Sequence, residues 1–148
     1  MHDHAARRRV VRLLTFVCGA AVLIWLSLED HNVSAPALAG LALTAVLAAN
    51  ILLRWPLARI KRPAARFLGG LLAGASIGAG TALAAAFLML FKTGLHSHAA
   101  PDYPLTLILD TLAHAPIWTL AGALAAAGVS FACHALTAPE SNGAEGDR

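Results

Sequence analysis

The chain has 148 residues, 58% of them apolar and only 13% charged, and its mean hydropathy is +0.67. A soluble domain carries about 25% charged and about 45–50% apolar residues. The composition therefore argues against an ordinary soluble domain and against a polar, charge-rich disordered chain. With two cysteines it also argues against a disulfide scaffold.

Three apolar runs come first. Val10–Leu28 and Ala35–Leu53 each hold 19 residues, and Phe67–Phe91 holds 25 without a charge. A helix rises about 1.5 Å per residue, so about 20 residues cross a hydrocarbon core of about 30 Å. None of the runs alternates as a barrel strand would, and lipid admits only helices or closed barrels. Each run is expected to be a membrane-spanning helix. Ser34 is the expected N-cap of the second, with Pro36 just inside it. Gly94 is the expected stop of the third. Trp25, Trp55, Tyr103 and Trp118 fall near the expected ends, where amphipathic rings settle at headgroup level.

The first helix opens on a basic stretch, as a secretory signal would, but no convincing small-x-small cleavage site follows it. It is expected to be retained.

The last apolar stretch, Leu105–Leu136, has 32 residues, too many for one upright crossing. Two readings fit it. In one, a short amphipathic helix at about 105–113 lies in the interface and a crossing helix follows at about 116–136. In the other, a single tilted helix is kinked at Pro116. In the short segment, Thr106, Asp110 and His114 share one face, and Leu105, Leu109 and Leu112 line the other. The expected fold is an all-α membrane protein with four transmembrane helices. Residues 1–9 form a basic head, 10–136 the membrane domain, with helices at about 10–28, 35–53, 67–91 and 116–136, and 137–148 a disordered tail.

Charge predicts the threading. With four crossings, ten of the eleven Lys and Arg fall on one side, and Lys92 alone falls on the other. Lys92 there faces Glu29, Asp30, Asp102 and Asp110, for a net charge of −3. The basic side sets its ten cations against Asp3, Glu140, Glu145 and Asp147, for +6, and the two sides reproduce the total of +3. The positive-inside rule makes the basic side cytoplasmic, with both termini inside. A multi-pass protein of a plasma membrane follows, most simply a bacterial inner membrane. The pI near 9.4 reflects orientation, so no nucleic-acid partner is expected. Membrane lipids are the expected surroundings.

Small residues mark a packing face. Gly70, Gly74 and Gly78 recur every four residues, and Gly122, Ala126 and Ser130 do the same further on. Lipid tails are as apolar as leucine, so helices associate in a membrane through close packing, which small-xxx-small stripes permit. These stripes serve either packing within the chain, the favoured reading, or a homo-oligomer or a larger membrane complex. Gly74–Gly80 is no phosphate loop, because no strand precedes it and helix bonds consume its N–H groups.

Chemistry-bearing side chains gather on the less basic side. His96, His98, Asp102, Asp110 and His114 include a His-x-His pair and an i, i+4 Asp/His pair, which suit a divalent transition metal such as zinc. No HExxH, paired CxxC or Gly-x-Ser-x-Gly accompanies them, so no catalytic residue is assigned. Three functions remain, in this order. The first is a non-catalytic accessory or structural membrane subunit packing through small-residue faces. The second is a metal-ion binding or transport protein using the His/Asp cluster. The third is a membrane enzyme at the outer interface, with Asp110 and His114 as acid–base pair.

Overall fold

The computed structural model describes residues 2–28, 32, 34–95 and 101–137. These form five α-helices and one 3-10 turn, with no strand among them. They are α1 (His2–Ser27), α2 (Ser34–Arg54), the turn Leu57–Arg59, α3 (Pro63–Leu95), α4 (Leu105–Ala113) and α5 (Ala115–Thr137). All but α4 are long and apolar enough to cross a membrane.

The boundaries differ from the expected ones for local reasons. α1 reaches back to His2, so Arg7, Arg8 and Arg9 ride on its first turns. Residues 138–148 of the expected tail lie outside the described residues. α2 is capped by Asn32 rather than Ser34. The Asn32 Oδ1 accepts the Ser34 N–H at 3.0 Å and its hydroxyl at 2.8 Å, which satisfies one of the orphan donors of a helix start. Gly94 lies inside α3, and no described glycine has a positive φ. α3 extends through Lys92 to Leu95 and has 33 residues, about 50 Å of helix. It therefore outruns a hydrocarbon core unless it tilts or projects.

Of the two readings of residues 105–136, the structure takes the broken one, but the break is a single residue. His114 separates α4 from α5 with φ −80° and ψ −4°. Its N–H still reaches the Asp110 carbonyl at 3.1 Å, and Trp118 N–H reaches the His114 carbonyl. Pro116 lacks the N–H that a continuous helix would require there.

The long helices pack as a row, α1 on α2, α2 on α3 and α3 on α5, rather than as a closed square. Their contacts run antiparallel. Gly40 of α2 meets Thr81 and Ala85 of α3, and Gly74 and Gly78 of α3 meet Gly122 and Trp118 of α5. The start of α1, residues 55–62 and the end of α5 therefore share one end of the row. That end carries nine described cations, on Arg7, Arg8, Arg9, Arg12, Arg54, Arg59, Lys61, Arg62 and Arg66.

α3 sits at the centre because its surface is small on two sides. A Cβ at Gly74 would run into the Gly122 carbonyl oxygen and lie 2.6 Å from the Ala126 Cβ. One at Gly78 would strike the carbonyl of Trp118, and one at Gly122 the carbonyl of Gly74. On the other side, a Cβ at Gly40 would lie 2.7 Å from the Thr81 carbonyl oxygen. Gly70 is looser, with the Ser130 Oγ at 3.7 Å from its would-be Cβ. Backbones this close gain dispersion over many short contacts. Two side-chain hydrogen bonds tie neighbours further. Thr44 and Thr81 hydroxyls lie 3.1 Å apart across α2 and α3, and Asn50 donates to Thr15 Oγ1 at 3.2 Å across α2 and α1.

Outside these seams the helices present Leu, Val, Ile and Phe to their surroundings, including Leu13, Phe16 and Ile24 of α1 and Leu120, Leu124 and Phe131 of α5. The α3–α5 crossing predicts contrasting outcomes for substitutions inside and outside it. Gly78→Leu should destabilise the protein by about 3 kcal/mol or more, because backbone must move. Gly128→Leu, with nothing within 4 Å of its would-be Cβ, should stay within about 0.5 kcal/mol. Denaturant titration in detergent checks both; equal losses would remove the α3–α5 crossing as the cohesive contact.

Candidate functional site

Two features are built above the level of single helices. The first is a cap at the end opposite the basic loop. α4 turns back over α3 and places Ile108 against Ala86, Met89 and Tyr103, with Trp25, Leu107 and Leu112 around them. Thr111 donates to its own helix at Leu107, 2.9 Å away, and lies 3.9 Å from the Met89 sulfur. The side of α4 that packs is thus Ile108, Thr111 and Leu112. Leu105 and Leu109, on the apolar face with Leu112, stay exposed. For an apolar side chain at the rim of a bundle, lipid is as good a neighbour as protein.

Lys92 is buried in this cap at 1% exposure. Its Nζ lies 4.5 Å from the centroid of the Trp25 ring, a cation–π contact of about 2 kcal/mol when desolvated. Tyr103 is equally buried. Its N–H reaches Thr93 Oγ1 at 3.3 Å, and its hydroxyl reaches the Asn32 carbonyl at 3.4 Å. The cap therefore joins residues from α1, the segment before α2, α3 and the segment before α4. Sequence reasoning placed Lys92 in a loop and Trp25 and Tyr103 at headgroup level. Of the four anchor residues only Trp55 is largely exposed, at 74%. Trp25 and Trp118 are half-buried against neighbouring helices. The signal available was Lys92 itself, the one cation on its side, standing one residue beyond a long apolar run.

The five residues of the expected metal cluster are not brought together by the described part of the chain. His96 and His98 lie outside the described residues. Asp102 is half-buried in the segment leading to α4. Asp110 and His114 are one turn apart at the end of α4, with side chains 66% and 49% exposed. The His114 Nδ1 lies 2.7 Å from the Asp110 carbonyl oxygen and 3.7 Å from its carboxylate. Among the described residues no three His, Cys, Asp or Glu side chains converge on a common point. Cys18 and Cys133 are not joined by a disulfide.

The second feature is a groove of about 810 Å³ on the α3 face between α2 and α5. It exists because α2 and α5 both pack on α3 rather than on each other. Leu38, Leu41 and Leu52 form one wall, Ala121, Ala125 and Val129 the other, and Leu57 closes one end. Its two described hydroxyl groups are already hydrogen-bonded, that of Thr81 also to Thr44. Thr81 donates to Ile77 and Ser130 to Ala126, at 2.7 and 2.8 Å. The lining is hydrocarbon in character, with no ionisable side chain.

No protein-family model matches the chain, and no curated protein or solved structure is significantly similar to it. The class that the fold defines is, among the described residues, an all-helical one with four helices long and apolar enough to cross a membrane.

The cap predicts a graded response at Tyr103. Tyr103→Phe should cost about 0.5–1.5 kcal/mol, the value of one hydrogen bond. Tyr103→Ala should cost about 3–5 kcal/mol by leaving a cavity among Ala86, Met89 and Ile108. Unfolding midpoints in detergent would separate the two; equal losses would mean that the hydroxyl, not the ring, holds the cap.

Proposed function

We propose that the chain is a small multi-pass protein of a plasma membrane, most simply a bacterial inner membrane, and serves as a non-catalytic accessory or structural subunit. The observation that carries this reading is the use to which the polar groups and small faces are put. Thr15, Thr44, Asn50 and Thr81 join one helix to the next, and Gly74, Gly78 and Gly80 of α3 are occupied by α5 and α2. Such groups serve cohesion. The surface left for a partner is then α1, which among the long helices packs mainly on α2, meets α3 through Trp25 at the cap and is apolar around most of its girth. A partner would be a membrane protein offering a complementary helix. Native-membrane purification with in-cell crosslinking tests this. One partner should be recovered at a fixed ratio and lost on Phe16→Arg in α1; recovery of this chain by itself in native membrane would overturn the reading.

The threading proposed with it puts the basic end in the cytoplasm, following the positive-inside rule. In a Cys18→Ala, Cys133→Ala background, Gly94→Cys should react with an impermeant maleimide in intact spheroplasts, and Arg8→Cys should react only after lysis. The reverse pattern would invert the orientation without touching the fold.

A further inference from the structure

We infer that the groove between α2 and α5 holds an acyl chain of an anionic phospholipid, with the headgroup held by the basic segment at its Leu57 end. The inference rests on the membrane reading above. Three observations carry it. The first is length. The α5 wall of the groove runs from Ile117 to Ser130, about 20 Å of helix, which exceeds the ~15 Å half-thickness of a hydrocarbon core of about 30 Å. One leaflet's chain can lie along it. The second is chemistry. The lining is predominantly apolar and carries no ionisable side chain, and the Thr81 and Ser130 hydroxyls already have hydrogen-bond partners in α2, α3 and α5, so it suits hydrocarbon better than a polar ligand. Between Trp118 and Val129 the α5 wall is lined by Ala121, Gly122, Ala125 and Ala126, whose short side chains leave the middle of the trough open.

The third observation is charge at one end only. Leu57 closes the groove and belongs to the turn Leu57–Arg59. That turn is seated on α3, with the Leu57 side chain 2.9 Å and the Ile60 side chain 3.7 Å from where a Gly69 Cβ would lie. The Arg66 guanidinium fastens it by donating to the Ile60 carbonyl at 3.0 Å. Arg59, Lys61 and Arg62 then stand exposed beside the mouth, and no ion pair joins them to an acidic side chain among the described residues. A phosphate at this position would meet exposed cations carried on a seated backbone segment while its chain enters the groove. Cations beside a membrane surface attract anionic lipid generally; what this arrangement adds is a hydrocarbon slot in register with one cluster of them.

The experiment compares two clusters at the same end. The full-length protein is reconstituted in nanodiscs of phosphatidylcholine with one-fifth phosphatidylglycerol, and the phospholipid retained after detergent extraction is identified by native mass spectrometry. The wild-type protein should retain one phosphatidylglycerol in preference to phosphatidylcholine. The triple variant Arg59→Gln, Lys61→Gln, Arg62→Gln should lose that preference by about tenfold or more, since each cation near a surface contributes about fivefold. Ala125→Trp, which fills the groove, should lose the retained lipid altogether. The triple variant Arg7→Gln, Arg8→Gln, Arg9→Gln removes equal charge away from the groove and should retain lipid as wild type does. Equal loss in both triple variants would overturn the site in favour of diffuse surface charge. Retention of lipid by Ala125→Trp would overturn the groove, and so would a wild-type dimer that Ala125→Trp dissociates, because a second copy would then be the occupant. A protein that enters the bilayer yet retains no lipid overturns this inference alone, whereas one that fails to enter overturns the membrane reading beneath it.

Discussion

The approach of α3 to backbone contact with α5 and α2 is the constraint on which the remaining structure rests. Helices as apolar as these gain little by trading hydrocarbon neighbours for one another, so cohesion must come from many short contacts and a few interhelical hydrogen bonds. Short contacts need the side chain out of the way. Gly74, Gly78 and Gly122 remove it on one side of α3, and Gly40 removes it on the other. The Thr44–Thr81 bond forms where α2 has been brought close by Gly40 and Gly80, whose would-be Cβ lies 2.8 Å from Thr44 Cγ2. Proximity comes first and the hydrogen bond follows from it.

A central helix with two small sides produces a row, and the row explains both features of interest. Because α2 and α5 each seek α3, they leave a trough between them instead of closing a square. Because α1 is attached at the edge, through α2 and the Asn50–Thr15 bond, nearly all of its apolar surface faces outward. The two ends differ in kind. One is a cap in which Lys92, Trp25 and Tyr103 are drawn inward under α4. The other keeps its cations exposed on α1 and on the segment after α2. A charge drawn inward beside an aromatic face and a hydrogen-bonded tyrosine stiffens one end. Exposed cations leave the other available to anionic groups.

The helices were legible in the residues because length and greasiness are properties of a segment taken alone. The expected span at 35–53 appears as Ser34–Arg54, and the short helix expected at 105–113 appears as Leu105–Ala113. The extra turns of α3 were not legible. Pro63 is well placed to start a helix in the polar break, but nothing in local composition carries the other end through Lys92 and Gly94. The small-residue stripes were legible as surfaces suited to close approach. Their neighbours were not, because a period of four residues identifies a face without naming what lies against it. Gly40, Thr44 and Ala48 repeat the same spacing on α2, but a single glycine in an alanine-rich run marks a close-packing face less clearly than three do.

The amino-acid pattern alone settled where the four long apolar stretches lie, how apolar they are and where the cations concentrate, since these follow from the content of each segment and its fit to hydrocarbon thickness; whether 105–136 is one helix or two it left open. Which helix stands at the centre, which lysine is buried and whether a groove is left open belong to the assembled chain. Each depends on residues far apart in sequence meeting at a few ångströms: Gly78 with Trp118, Lys92 with Trp25, Leu57 with Gly69. Such meetings are set by how whole helices pack, and no window of neighbouring residues contains that information.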